Sequence, residues 1–555
     1  LAGLCLLLST CVIADESLRQ RVEAMQAGFV PSAAGEPLMA RQALTNFYAE
    51  RQFELAWLET DDREALLAAL DSMGQDGLNP ADYHQLPLTA LLSRQFEDMS
   101  SAERVDLDLL LSDAFFMMGS HLLEGKVNPE TIDAEWLANR RQRAMAPILA
   151  RALQEHAVGR ELDDVRPAQT GYRKLKQLRA YLVQMTDLPW PPIPDGASLK
   201  PGMTDARLAE VRHRLTQLRG LYGMAPAGAN AESSIIENYD PPLVALVKIF
   251  QAHNGLEDDG VVGRDTLRAL NRTPAELLRL IDLNLERWRW LPDSLGDPHV
   301  MVNAAGYELT LVVKGEVTLR KRVIVGRPFR RTPVFSDSIR YLVFNPTWTV
   351  PGKLIIEDKL PEIIRDPTYL QRLGFSIYRG WGAERQRVDP GGIDWRATSA
   401  SRFPYQLVQA PGPMNALGQV KFMFPNKFDV YLHDTPSRDL FRKSERSFSS
   451  GCIRVEEPLE LAAHLLALAG DPGWGAGRIE ETVRSKRTVT VNLKKPIPVH
   501  LEYWTAWSDD NGQPQFRKDI YERDERLYRA LTSRVPVTGL AGNGAVRDAG
   551  LLSQK

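Results

Sequence analysis

The hydrophobic period of this 555-residue chain changes once, and that change decides what the chain can fold into. From about residue 17 to 225 apolar side chains recur at three- and four-residue spacing, as on amphipathic helices. From His299 onward they alternate, as on half-buried strands. A helical unit is therefore followed by a mostly-β unit. At roughly 100–200 residues per domain, a chain this long holds about three or four domains.

In the helical part, "DREALLAALDSMGQDGL" lines Leu66, Leu67 and Leu70 on one face before Gly74 and Gly77 break it. "VDLDLLLSDAFFMMGSHLLEGKVNP" repeats the design, with Phe115, Phe116, Met117 and Met118 as core. His121 shares that apolar helix with no carboxylate or second His at ligand spacing, so it reads as a buried structural side chain. "DLPWPPIPDGASLKPG" is too stiff and donor-poor to continue a helix. Further on, Leu243, Leu246, Val247 and Phe250 make one face, Gly260 a tight turn, and Thr266, Leu267 and Leu270 open another helix. In "PAELLRLIDLNLERWRWLP", Leu277, Ile281, Leu285 and Trp288 line a connecting helix, and Trp288 and Trp290 read as packing residues rather than sugar-stacking ones.

In the β part, two strands meet at a turn from Lys314 to Glu316. "IRYLVFNPTWTVP" and "KFDVYLHDT" continue the strands, and "RTVTVNL" and "PVHLEYWTAW" read as two more. Between Pro351 and Pro404 the pattern becomes irregular and charged, and an insertion of that length reads as a functional cover.

Charge is nearly balanced, at a formal net of −3, so no global field marks the chain for nucleic acid or anionic lipid. The apolar run Leu1 to Ala14, followed by polar "DESLRQR", reads as a signal peptide or, if uncleaved, a membrane anchor. The expected location is an envelope space such as the periplasm, with the chain soluble or tethered to the inner membrane. Of three cysteines, Cys5 and Cys11 lie inside that run, which leaves Cys452 as the lone thiol. Oxidising compartments use cysteines in pairs, so Cys452 is either a small buried residue or a free reactive thiol. A thiol reacts as thiolate and needs a base. Among nine histidines, His433 ends a predicted strand 19 positions before Cys452. Gly451 admits close backbone approach, and the N–H groups around Gly451 and Cys452 are candidates for an oxyanion hole. Arg454 is placed to hold a substrate carboxylate or to steady the loop. The histidines are scattered, so neither a metal nor a cofactor is expected.

Two stretches carry resemblances. "FQAHNGLEDDGVVGRDTLRAL" resembles the small three-helix peptidoglycan-binding module of cell-wall enzymes, which implies a wall-polymer partner. "YLHDTP" and "SSGCIRV" resemble the signature of YkuD-type L,D-transpeptidases, and "VIVGRPFRRTPVF" and "GPMNALGQVKFMFPN" match the same β-sandwich domain. The layout is similar to the large periplasmic members. The fold implied is multidomain α+β: signal peptide 1–14, helical scaffold 15–228, peptidoglycan-binding module 229–275, connecting helix 276–298, catalytic domain 299–522 with a cap at 352–404, and a flexible tail 523–555.

The resemblance implies Cys452 as nucleophile and His433 as base, with Asp434 orienting the imidazole through its main-chain carbonyl. Tyr431 corresponds to a tyrosine near oxyanion or substrate, and equally reads as a core-facing strand residue. Ser449 and Ser450 fit the loop before the cysteine, and Ser450 stands where a His is frequent, which leaves His433 as the base. The implied reaction joins two diaminopimelates of peptidoglycan stems through a Cys thioester, with carbapenems as acylating substrates and Trp381 and Trp395 of the cap helping to exclude water. A hydrolase of the same fold and a non-catalytic wall-binding scaffold are the competing readings.

Overall fold

The computed structural model describes residues 15–533 apart from 30, 139, 225–236, 399–402 and 472. The expected signal peptide, with Cys5 and Cys11, lies outside the described residues, as do residues 534–555. Among the described residues no helix is long and apolar enough to cross a membrane.

The first region is helical, as its period requires. In helix α1 (Thr60–Ser72) Leu66 and Leu70, one turn apart, are fully buried, and the chain turns away through Gly77 at φ 70°. Helix α2 (Ser101–Glu124) opens on a capping box between Ser100 and Glu103 and is buried on every side from Leu107 to Leu123. Phe115 and Phe116 are fully enclosed there, and each buried phenyl contributes about 1.5–3 kcal/mol. His121 meets the Tyr83 hydroxyl at 3.0 Å, and burial lowers its pKa to about 3, so it is a neutral core side chain. The region closes with helix α3 (Thr170–Val183).

Three helices, α4 (Arg207–Gln217), α5 (Pro241–His253) and α6 (Arg264–Leu270), share a core of Leu208, Val211, Leu215, Leu243, Val247, Phe250 and Leu270. Backbone bridges from Leu199 to Val262 and from Thr204 to Asn238 close the unit. The module therefore begins near residue 199, not at 229. The proline-rich stretch 187–202 marks that boundary in composition, but the resemblance in residues 250–270 draws the eye to the later helices alone.

Helix α7 (Pro274–Arg289) is more than a connector. It starts on a Thr273–Glu276 capping box, and from Leu283 to Arg289 every residue is buried, polar ones included. Arg287 pairs with Asp524 at 2.6 Å and Arg289 with Glu286 at 2.6 Å. Trp288 stacks on Trp504 at 4.5 Å, and the Trp290 indole donates to the Val127 carbonyl at 2.9 Å. Both tryptophans are packing residues.

The β region is one nine-stranded mixed sheet, built from β1 (His299–Asn303), β2 (Glu308–Val313), β3 (Glu316–Gly326), β4 (Phe335–Phe344), β9 (Val420–Met423), β10 (Leu432–His433), β11 (Ser447–Ser449), β12 (Ile453–Val455) and β13 (Val489–Glu502). The order is β11-β3-β12-β10-β9-β4-β13-β1-β2, and β2 also pairs with β3, so the sheet curls closed. The β2–β3 turn puts Lys314 at φ 53° and Gly315 at φ 80°, the mirror-image turn that suits strand twist. "RTVTVNL" and "PVHLEYW" are not two strands. They form the single β13, whose register shifts between Asn492 and Ile497 where prolines interrupt the ladder.

The insertion carries its own four-stranded sheet, β5 (Trp348–Thr349), β6 (Phe375–Arg379), β7 (Gln386–Val388) and β8 (Tyr405–Gln409), in the order β5-β8-β6-β7. A separate core of Trp348, Ile363, Leu370, Ile377 and Leu407 holds it. The cap thus extends beyond 352–404 on both sides, because its strands β5 and β8 come from flanks that alternate like the main sheet.

The start of the expected tail is ordered. Helix α8 (Asp524–Thr532) buries Leu527 and Leu531, and Arg523 pairs with Asp133 at 2.6 Å. Its charged residues resemble a solvated tail in sequence, but the charges have partners in the fold.

Candidate active site

Strand β10 runs parallel to β12, with Leu432 opposite Ile453 and His433 opposite Arg454. The Ile453 N–H donates to the Tyr431 carbonyl at 3.1 Å. Side chains alternate along a strand, so the fully buried Leu432 and Ile453 take the core face. Tyr431, His433, Cys452 and Arg454 then share the opposite face. Antiparallel β9 adds Lys421, directly opposite His433. The sheet therefore gathers a thiol, an imidazole, a phenol and two cations on one surface.

The loop carrying Cys452 is held by hydroxyls. The Ser449 hydroxyl donates to the Cys452 carbonyl at 2.5 Å and accepts the Gly451 N–H at 3.1 Å. The Thr332 hydroxyl, buried at the next turn, donates to the Gly451 carbonyl at 2.9 Å and accepts the Gly326 N–H at 2.9 Å. Gly451 sits at φ 116°, a conformation closed to most side chains. The Gly451 N–H is thus committed to Ser449, which corrects the expectation that it serves an oxyanion hole. The Cys452 N–H and the Tyr431 hydroxyl are the remaining candidates. The Cys452 Sγ faces the Asp429 carbonyl at 3.8 Å.

His433 is buried and its Nδ1–H donates to the Asp434 carbonyl at 2.6 Å. That bond fixes Nδ1 as the protonated nitrogen and leaves Nε2 as the basic one. The Asp434 carboxylate points elsewhere. It accepts the Gln419 N–H at 2.8 Å and lies 3.3 Å from Arg438. Gly418 leaves it room, because a Cβ there would fall 2.3 Å from the carboxylate. Asp434 acts on the imidazole through its backbone.

Burial pushes the Cys452 thiol up to about 11, although hydrogen bonds from Tyr431 and the charge of Arg454 oppose this. Burial, with Arg454 and Lys421 adding to it, lowers His433 to about 3. At neutral pH this face holds an un-ionised thiol and a neutral imidazole. Burial also raises the Tyr431 hydroxyl, and its ring lies 5.6 Å from that of His433 while packing against both the sheet core and the cap core. Both readings of Tyr431 meet in one side chain. Among the described residues the Arg454 Nε has no hydrogen-bond partner, and burial lowers the pKa of its guanidinium.

Ser450 turns outward and accepts from Arg330 at 2.9 Å. The same guanidinium grips Asp358 at 2.7 Å and Glu357 at 2.6 Å, both on the cap's π-helical turn Ile355–Lys359. Arg330 therefore ties the cysteine loop to the cap. Trp395 packs on Phe403 and Tyr405 within the cap, whereas Trp381 is 76 % exposed.

Lys421, Thr332 and Arg330 escaped the sequence reading. "GQVKFMFPN" and "VIVGRPFRRTPVF" contain them, yet their place beside Cys452 depends on strand pairing that no local pattern displays.

Three segments match known families: residues 42–178 a "Scaffold domain", 204–270 a "Putative peptidoglycan binding domain", and 297–491 an "L,D-transpeptidase catalytic domain". The peptidoglycan-binding match starts near the structural boundary. Over 256 residues the chain is 38 % identical to a Haemophilus influenzae protein named "Putative L,D-transpeptidase", covering 46 % of this chain and 50 % of that one. Over 90 residues it is 34 % identical to an N-acetylmuramoyl-L-alanine amidase, CwlM, of Mycobacterium tuberculosis, covering 16 % of this chain and 22 % of that one. The chain thus spans half or less of the length of these relatives. It carries an L,D-transpeptidase-type catalytic domain and a peptidoglycan-binding domain behind a helical scaffold.

Proposed function

We propose that the chain is a cysteine acyltransferase that joins two diaminopimelate residues of neighbouring peptidoglycan stems. The observation that supports this most is the single sheet face holding Cys452, His433, Tyr431 and Arg454, within a segment that matches the L,D-transpeptidase catalytic domain. In the first step the Cys452 proton passes to His433 Nε2 as the sulfur attacks the carbonyl joining diaminopimelate to the terminal D-Ala. The carbonyl oxygen becomes an oxyanion within reach of the Cys452 N–H and the Tyr431 hydroxyl. Its collapse breaks the C–N bond, His433 returns the proton to the departing D-Ala amine, and a thioester remains. In the second step a side-chain amine of another stem attacks the thioester, His433 takes the amine's proton, and the thiol is regenerated. The new bond is the cross-link.

The neutral resting pair suits this sequence, since His433 arrives unprotonated and able to accept. Arg454, which no carboxylate among the described residues pairs with, is placed for a substrate carboxylate. The cap, tied to the cysteine loop through Arg330, favours an amine over water as acceptor. The wall polymer is the partner, no cofactor takes part, and the site of action is the periplasm. A carbapenem tests the assignment. Intact mass should show one covalent adduct, mapped by peptide mass to Cys452, and none on Cys452→Ala. An adduct elsewhere, or none, would overturn it.

A further inference from the structure

We propose that Lys421, together with Arg454, holds the Cys452 thiolate during attack. This deepens the proposed function, resting on Cys452 as nucleophile. Strand register carries it. Lys421 stands opposite His433 on β9, Arg454 stands opposite His433 on β12, and Cys452 lies on the same face. The Lys421 Nζ lies 5.6 Å from the centre of the Tyr431 ring, and Tyr431 in turn hydrogen-bonds with Cys452.

The groups facing the thiol are Lys421 from β9, Asp429 and Tyr431 from the approach to β10, His433 from β10 and Arg454 from β12, with Arg327 acting on Arg454. Among these described residues no carboxylate pairs with Lys421. A half-buried ammonium without an anion is costly. Burial works against the Lys421 charge, and Cys452 is the group that works for it. His433 cannot supply the charge in the resting state, because burial and the two cations keep it neutral. A thiolate formed here therefore finds its compensation in Lys421 and Arg454, and not in a standing imidazolium.

The step is a proton loss from Sγ, after which sulfur displaces iodide from iodoacetamide, forming C–S and breaking C–I. Alkylation needs no wall substrate, so it separates this inference from the transpeptidase reading. The rate would be followed against pH by intact mass on the full chain and on Lys421→Met, Lys421→Gln and Lys421→Arg, with exposed Lys427→Met as control. Unfolding curves would identify any variant that fails to fold. Between pH 7 and 9, where Lys421 is charged, the alkylation rate should fall about tenfold or more in the Met and Gln variants. The Arg variant and the control should stay near the parent. An unchanged rate between pH 7 and 9 in folded Lys421→Met or Lys421→Gln would overturn the proposal, and would leave Lys421 as a substrate contact or a packing residue.

Discussion

Under α3 and α7, Asp76 lies fully buried beneath three cations, whereas on the candidate catalytic face no carboxylate among the described residues pairs with Lys421 or Arg454, and Asp429 acts on the thiol instead. Asp76 meets Arg166 at 2.9 Å, Lys176 at 2.9 Å and the Tyr172 hydroxyl at 2.7 Å, and Arg289 beside it is paired with Glu286. Burial alone would push the Asp76 carboxyl up, but Arg166, Lys176 and Arg289 hold it below its ordinary range. That cluster closes within the chain. The catalytic face holds cationic charge whose anion must come from elsewhere: a thiolate, an oxyanion or a substrate carboxylate. Buried charge that balances itself serves the fold, and buried charge left unbalanced marks where chemistry supplies the missing partner.

The contrast is sharpened first by His433→Gln. It should reduce acyl transfer by roughly 10²–10⁴-fold, because the proton acceptor is gone. Denaturant midpoints should scarcely move, since the parent imidazole is already neutral. A large loss of stability with little loss of turnover would place His433 with the structural histidines such as His121.

Asp76→Ala should do the reverse. It takes the buried carboxylate from Arg166 and Lys176 and should cost about 3–5 kcal/mol in urea unfolding, while the folded fraction keeps its activity. The sign of the pH dependence follows from the lowered carboxyl. The stability that Asp76 contributes is present above the ordinary carboxylate range and is lost as pH falls below it, so the parent and the variant should converge in acid. A cost that persists at low pH would show that packing, not charge, holds the junction.

Arg330→Met probes the tie between cap and cysteine loop, where both carboxylates are partly in solvent. Stability should change by less than about 1 kcal/mol. The share of thioester lost to water should rise against the share passed to an amine, read as tripeptide against dimer in a muropeptide mass spectrum. An unchanged ratio would leave Arg330 a surface ion pair and nothing more.

How much of this was legible beforehand depends on how local the signal is. The periods of α1 and α2, the turn at Lys314 and Gly315, and the order of the units are written in adjacent residues. Cys452 and His433 stand out because a lone thiol and a strand-end imidazole are rare features of composition. Lys421, Thr332 and Arg330 reach the site only through strand order and through a loop folded back on Gly451, which are long-range facts. The same holds for α8, whose charged sequence looks solvated until Asp133 and Arg287 are seen to meet it. The commitment of the Gly451 N–H to Ser449 lies finer still, in one hydroxyl rotamer.

The central claim is transfer of a stem peptide through Cys452 to an amine. The direct measurement is mass analysis of muropeptides after the full chain is incubated with isotopically labelled tetrapeptide stems. The account predicts dimers joined through diaminopimelate that lack the donor's terminal D-Ala, and their loss with Cys452→Ala. Tripeptides alone, or dimers that persist without the thiol, would contradict it.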